Sequence, residues 1–375
     1  MKLLKKYNMP LTMAQRILQQ ACVNCGKYLS EETKMNLPLH LKQGDLIAIV
    51  APSSGLAGEK DVRWRSKIGI DNLKKLGYRV KVMPNALKDK EWNYHHPKAR
   101  ARELTDAFLD PEVKAILCTI GGNESARIIP YLNETTIREN PKIFIGYSDI
   151  TALHLYFNTL GLVTFYGPAL LTDFAENVAL DRYTLDYLFR LIGDVRALGY
   201  IETSPYTRRF GLRWEESLKD IEREKTLNSN YVLIQGNQPS SGPLIGGCFE
   251  SLDKLRGTPY FPDINEFNDK ILFIETSEVI TEPWSFEETM RSFGYMGIFH
   301  RINGMVIGRP QNGTYQREYH MSIVKILKEF DLETMPVIGN ASFGHNEPKC
   351  TLPYGIKAKI SIAPVALYIE EPAVK

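Results

Sequence analysis

The chain has 375 residues, which at about 150 residues per domain predicts two domains. Its 43% hydrophobic, 24% charged and 10% aromatic composition excludes a disordered, collagenous or fibrous chain. Forty-six basic and 44 acidic residues leave a net charge of +2, too balanced for a protein that holds a nucleic-acid polymer by neutralising phosphates. Small polar or zwitterionic partners fit better. The five cysteines, at 22, 25, 118, 248 and 350, are too sparse for a disulfide framework and suit a reducing compartment.

At the amino end, Lys2, Lys5 and Lys6 imitate the charged start of a signal peptide, but Pro10, Gln15, Arg16, Gln19 and Gln20 interrupt the apolar run that would have to follow. No apolar stretch reaches the roughly 18 residues of a membrane span, so the expected setting is cytoplasmic, away from a membrane. Cys22 and Cys25 have CxxC spacing, yet a structural zinc site needs four ligands and no second pair exists. No metal or cofactor is expected. Residues 1–38 read as an extension, or as an over-extended start with Met35 as initiator.

From residue 39 the pattern alternates. Asp45 to Ala51 is an apolar run closed by Pro52-Ser53-Ser54-Gly55, as in a buried parallel strand with its loop. A helix is predicted over 60–76, a strand over 78–83, a helix over 97–109 ended by Asp110-Pro111, and a buried strand over 113–120. A helix restarts at Ser125, a strand covers 143–145 and another helix 151–160. This predicts a doubly wound α/β domain over 39–200. Residues 201–235 are polar and strongly charged, and read as a linker or lid. Strands return at 231–235, 271–274, 304–307 and 357–369 among glycine-rich turns, predicting a β-rich carboxyl-terminal α/β domain over 236–375.

The sharpest local feature is Thr119-Ile120-Gly121-Gly122-Asn123-Glu124-Ser125-Ala126. An apolar strand runs into two glycines and a serine at the first turn of a helix, a geometry that holds a nucleophile at the carboxyl end of a sheet. Ser125 is therefore the candidate nucleophile, with the amides of Gly122 and Ala126 as candidate oxyanion donors; the plainer alternative is that Ser125 caps a helix. Of seven histidines, His345 stands out as the base, in a Gly- and Pro-bounded loop after an apolar strand. His154, on an apolar helix, reads as core. Glu275 ends the buried strand Ile271 to Ile274 and is the candidate acid that orients the histidine, with Glu278 a close competitor. Gly146-Tyr147-Ser148-Asp149 offers a second strand-end serine, read here as a helix cap. Cys248 is an alternative thiol nucleophile, or simply a small buried residue.

Together these segments resemble the LD-carboxypeptidase family of serine peptidases (peptidase family S66), and within it the microcin C immunity branch. The matching pieces are IAIVAPSSG, HHPKARARELTDAFLDPEVKAILCTIGGNES, IGYSDITALH with YGPALLTDF, GPLIGGCFESL, ILFIETSE, and GNASFGHNEP with TLPYG, spanning residues 41–358 in family order. The resemblance implies an amino-terminal α/β nucleophile domain, a β-rich carboxyl-terminal domain, a homodimer, no metal, and a Ser-Glu-His triad matched to Ser125, Glu275 and His345. IGGNES, GGCFESL and the long polar segment favour the immunity branch, whose substrate is a small peptide or aminoacyl-nucleotide amide. Trp214 or Tyr206 would then stack on the base. Release of terminal D-alanine from a murein tetrapeptide is the alternative, and an inactive small-molecule sensor on the same fold is an alternative of another class.

Overall fold

A computed structural model describes residues 35–375; the Cys22/Cys25 pair and most of the predicted extension lie outside the described residues. The first layer alternates strand and helix: β1 (Leu46–Val50), α1 (Arg63–Lys75), β2 (Arg79–Val82), α2 (Lys90–His95), α3 (Pro97–Leu109), β3 (Val113–Cys118), α4 (Glu134–Glu139), β4 (Ile143–Gly146), α5 (Thr151–Thr159), β5 (Phe165–Tyr166) and α6 (Arg182–Gly193). Strands β1, β4 and, apart from Lys114, β3 are apolar because both faces are covered. Pro97 opens α3, where its missing N–H costs nothing.

These strands form a six-stranded sheet in the order β14-β5-β4-β3-β1-β2, parallel except for the short β14 (Leu352–Pro353), which returns from the far end of the chain to pair with β5. The strand order reverses between β1 and β3, the switch point where doubly wound sheets bind ligands beyond their carboxyl ends.

The chain then enters the second sheet earlier than its composition suggests. β6 (Gly199–Ile201) already forms one edge of it, paired with Leu367–Ile369. The polar stretch that follows is not featureless: β7 (Tyr206–Arg208) and β8 (Lys225–Leu227) form a two-stranded ribbon, and β9 (Val232–Gln235) joins the main sheet. Next come β10 (Ser240–Cys248), α7 (Phe249–Leu255), β11 (Ile271–Glu275), α8 (Pro283–Tyr295), β12 (Gly304–Gly308), α9 (Gln316–Glu329), β13 (Val337–Ala341), β15 (Lys357–Ile362) and β16 (Val365–Ile369). The sheet order is β6-β16-β15-β10-β11-β12-β13-β9, with β10 to β13 parallel and the flanks antiparallel. Helices α8 and α9, unread in the sequence, cover this sheet through Phe286, Met290, Phe293, Tyr319 and Ile323.

One continuous apolar core runs through both sheets. His154 belongs to it, as expected: Nδ1 meets Thr164 Oγ1 at 2.8 Å and Nε2 meets the Gly146 carbonyl at 2.9 Å, and burial pushes its pKa down to about 3. No helix among the described residues is long and apolar enough to cross a membrane.

Candidate active site

Loops at the carboxyl ends of β1, β3, β4 and β11, together with the loop after β13, open on one cleft of about 860 Å³, ample for a small-molecule substrate. Strand β11 delivers Glu275 at its last position, 1% exposed. Four residues past β13, His345 turns back onto it: Nδ1 lies 2.8 Å from Oε2 and 3.0 Å from Oε1 of Glu275, and the His345 amide donates to Oε2 at 3.1 Å. Gly344 is required between them. Its φ is +79°, and a Cβ there would lie 2.2 Å from Glu275 Cγ.

The other ring nitrogen meets Ser148, not Ser125. His345 Nε2 lies 3.1 Å from Ser148 Oγ, and Ser148 lines the cleft. Its φ of +63° places it in the left-handed region, a strained conformation for a residue with a side chain and one that recurs at functional sites. Gly121 makes the close approach possible, since a Cβ on it would sit 2.7 Å from Ser148 Cβ. The strand, the sharp turn carrying the serine and the helix α5 reproduce the logic of a nucleophile elbow, keeping its first glycine as Gly146 and replacing its second by Ile150.

Ser125 is corrected accordingly. It is wholly buried, its hydroxyl donates to the Asp149 carbonyl at 2.6 Å, and its amide donates to Asp149 Oδ2 at 2.9 Å. Ser53 Oγ donates to the same carboxylate oxygen at 2.6 Å. Ser125 thus fastens the β3 loop to the turn bearing Ser148. The carry-over of the nucleophile onto IGGNES selected the supporting loop, and the helix-cap reading of Ser148 is overturned. Ala126 falls with Ser125, being half-buried against the core and outside the cleft. Gly122 does line the cleft, with φ +142°. The Asp149 amide, next in chain to Ser148, lies 3.3 Å from the position a Gly121 Cβ would take.

Tyr166 closes a ring of hydrogen bonds. The Ser148 amide donates to its oxygen at 3.1 Å, and its hydroxyl donates to Glu275 Oε1. Burial and the adjacent carboxylate drive the Tyr166 pKa well up, so it remains a donor. The sequence offered only an aromatic strand end, with nothing to show that its hydroxyl would reach Glu275.

Glu278, the competitor for the acid position, stands on the opposite nitrogen: Oε2 lies 3.0 Å from His345 Nε2, and its side chain is half exposed. Burial alone would lower the His345 pKa. Glu275, by charge and hydrogen bond, and then Glu278 outweigh burial and raise it to about 10. The hydrogen bond to His345 in turn lowers Glu278 to about 2.

Of the two predicted aromatics, Trp214 lines the cleft, with the Arg65 guanidinium 4.5 Å from its ring centroid. Tyr206 does not; its hydroxyl donates to Asp181 Oδ1, anchoring the ribbon. Phe210 and Tyr94, unremarked in the sequence, also line the cleft. The polar segment is tied down by Arg223, which ion-pairs with Glu176 and with Glu347, two residues past His345. Cys248 is buried, its thiol directed at Glu250 Oε2 at 3.2 Å, and burial pushes its pKa well up, which disfavours a thiolate. Donor atoms of Cys248, Glu275 and His345 lie within 4.8 Å of one another, but each is already engaged in the hydrogen bonds given above.

Residues 47–167 match the LD-carboxypeptidase amino-terminal domain and residues 241–360 the LD-carboxypeptidase carboxyl-terminal domain. The chain belongs to the LD-carboxypeptidase family. The matched regions carry the two halves of the site, Ser148 in the first and Glu275 and His345 in the second. Among similar solved structures, an MccF-like protein from Streptococcus pneumoniae in complex with AMP is 32% identical and superposes with a TM-score of 0.81 over 88% of this chain and 99% of that one. The microcin C7 self-immunity protein MccF with aspartyl sulfamoyl adenosine is 27% identical, with a TM-score of 0.80 over 91% of this chain and all of that one. The family is broader than this branch: a Bacillus subtilis (strain 168) relative named "Probable murein peptide carboxypeptidase" is 29% identical over 89% of this chain and 94% of its own length. An α/β LD-carboxypeptidase-family hydrolase of the MccF-like branch is the reading these likenesses support.

Proposed function

We propose that the protein is a serine hydrolase that cleaves the amide of an aminoacyl nucleotide, with Ser148 as nucleophile, His345 as base and Glu275 as the acid that orients it. The observation that carries this reading is the Ser148 Oγ to His345 Nε2 contact at 3.1 Å, backed by Glu275 on Nδ1. Neutral His345 accepts the Ser148 proton as Oγ bonds to the acyl carbon. The carbonyl oxygen, now negative, is met by the Asp149 amide and the Gly122 loop. When the C–N bond breaks, the imidazolium returns its proton to the leaving nitrogen. Water, deprotonated by the same imidazole, then splits the ester to a carboxylic acid and restores Ser148. Glu275, hydrogen-bonded to Nδ1, stabilises the imidazolium.

Trp214 supplies an aromatic face for a nucleobase, as the AMP-bound relative suggests. A cytoplasmic setting suits detoxification of such an amide, and a homodimer is the expected assembly. The deciding experiment is mass spectrometry of products after incubation with aminoacyl sulfamoyl adenosine and, side by side, with a murein tetrapeptide. Release of the free amino acid and sulfamoyl adenosine is expected. Loss of only the terminal D-alanine from the tetrapeptide would transfer the assignment to murein, and inertness toward both, with no labelling by a serine-directed probe, would leave the sensor reading.

A further inference from the structure

We infer that Glu278 is a specificity-determining gate: its carboxylate pairs with His345 Nε2 until an acyl donor carrying a free ammonium beside the scissile carbonyl draws it away and frees the base. This deepens the function proposed above and rests on Ser148 being the nucleophile. Ser148 Oγ and Glu278 Oε2 lie 3.1 and 3.0 Å from the same nitrogen. They compete for it. A carboxylate on Nε2 holds the imidazole protonated, and an imidazolium cannot accept the serine proton. An arriving acyl group therefore has to shift Glu278, and the group next to its carbonyl carbon enters the space beside that carboxylate.

An ammonium there offers Glu278 a second counter-charge; an acylated amine offers none. Glu278 is free to change partners because its side chain is half exposed, unlike Glu275, which Tyr166 and the His345 amide hold in place. The other groups at the ring are Glu275 on Nδ1, Tyr147 edge-on at 4.9 Å between centroids, and Cys248. Lys349 faces Tyr147 from its other neighbours, 4.1 Å from the ring centroid, and Lys254 acts electrostatically on Glu278. Only Glu278 among these carboxylates both touches Nε2 and lines the cleft. The selected substrate is an aminoacyl compound with a free α-amine. A longer peptide, whose α-nitrogen at that residue is acylated, is disfavoured.

The test compares wild type, Glu278→Gln and Glu278→Asp on aminoacyl sulfamoyl adenosine with a free or acetylated α-amine, together with fluorophosphonate labelling of Ser148 from pH 5 to 10. Wild type should prefer the free amine at least tenfold in kcat/KM. Glu278→Gln should bring the ratio near one and move the rise in labelling to lower pH; Glu278→Asp should keep the preference. An unchanged ratio in Glu278→Gln, with Ser148 still labelled, refutes the gate alone. Failure of wild type to label, or undiminished labelling and turnover in Ser148→Ala, removes the nucleophile assignment and the gate with it.

Discussion

Ser148 Oγ lies 3.1 Å from Nε2 of His345 across 197 positions of sequence. The contact joins the end of a parallel strand of one sheet to the loop beyond a strand of the other, so the pair is assembled from both halves of the chain. The buried carboxylate of Glu275 and the hydroxyl of Tyr166 fix the histidine from behind.

Ser148→Ala should lower kcat by on the order of a million-fold, because the members of such a relay act as a unit. Ser125→Ala should leave turnover within a few-fold and instead lower stability by about 1 kcal/mol, the typical contribution of one hydrogen bond. Steady-state kinetics with urea denaturation separates the two, and the opposite ranking of the serines would refute the assignment.

Tyr166→Phe removes the donor to Glu275 and the acceptor for the Ser148 amide while keeping the ring in place. Hydrogen bonds to charged groups contribute about 1.5–3 kcal/mol, so kcat should fall about ten- to a hundredfold with KM little changed. A larger effect on KM than on kcat would count against this positioning role.

His345 also predicts a pH signature. Its pKa is raised in the folded protein to about 10, against about 6.5 unfolded, so its ion pairs contribute stability that is fully present below pH 6.5 and lost as pH rises through 10. Urea unfolding should show this decline, and His345→Gln should flatten it. Labelling of Ser148 should run the other way and increase with pH, as the imidazole loses its proton.

Trp214→Ala should raise KM for an aminoacyl sulfamoyl adenosine about five- to a hundredfold, the range expected from losing about 1–3 kcal/mol of base stacking. Trp214→Phe should recover most of it. Equal effects on a substrate lacking the base would show that Trp214 serves only to pack against Arg65.

The sequence by itself determined the alternation of elements and the buried strands β1, β3, β4 and β11, and it named Glu275 and His345 as candidates for the site. Apolar runs closed by Gly, Pro or a charge are local signals, and Glu275 and His345 announce themselves as polar groups emerging from such runs. Which serine faces the histidine was decided only by tertiary structure. Ser125 and Ser148 both follow apolar strands, and their loops lie side by side, joined through Asp149. What separates them is the direction of each side chain: the left-handed turn at Ser148 aims its hydroxyl into the cleft, while Ser125 spends its own on a neighbouring carbonyl. The same holds for Glu278, whose place on Nε2 opposite Glu275 depends on how the loop after β11 folds back over a ring supplied by another strand. Spacing along the chain carries no record of that approach.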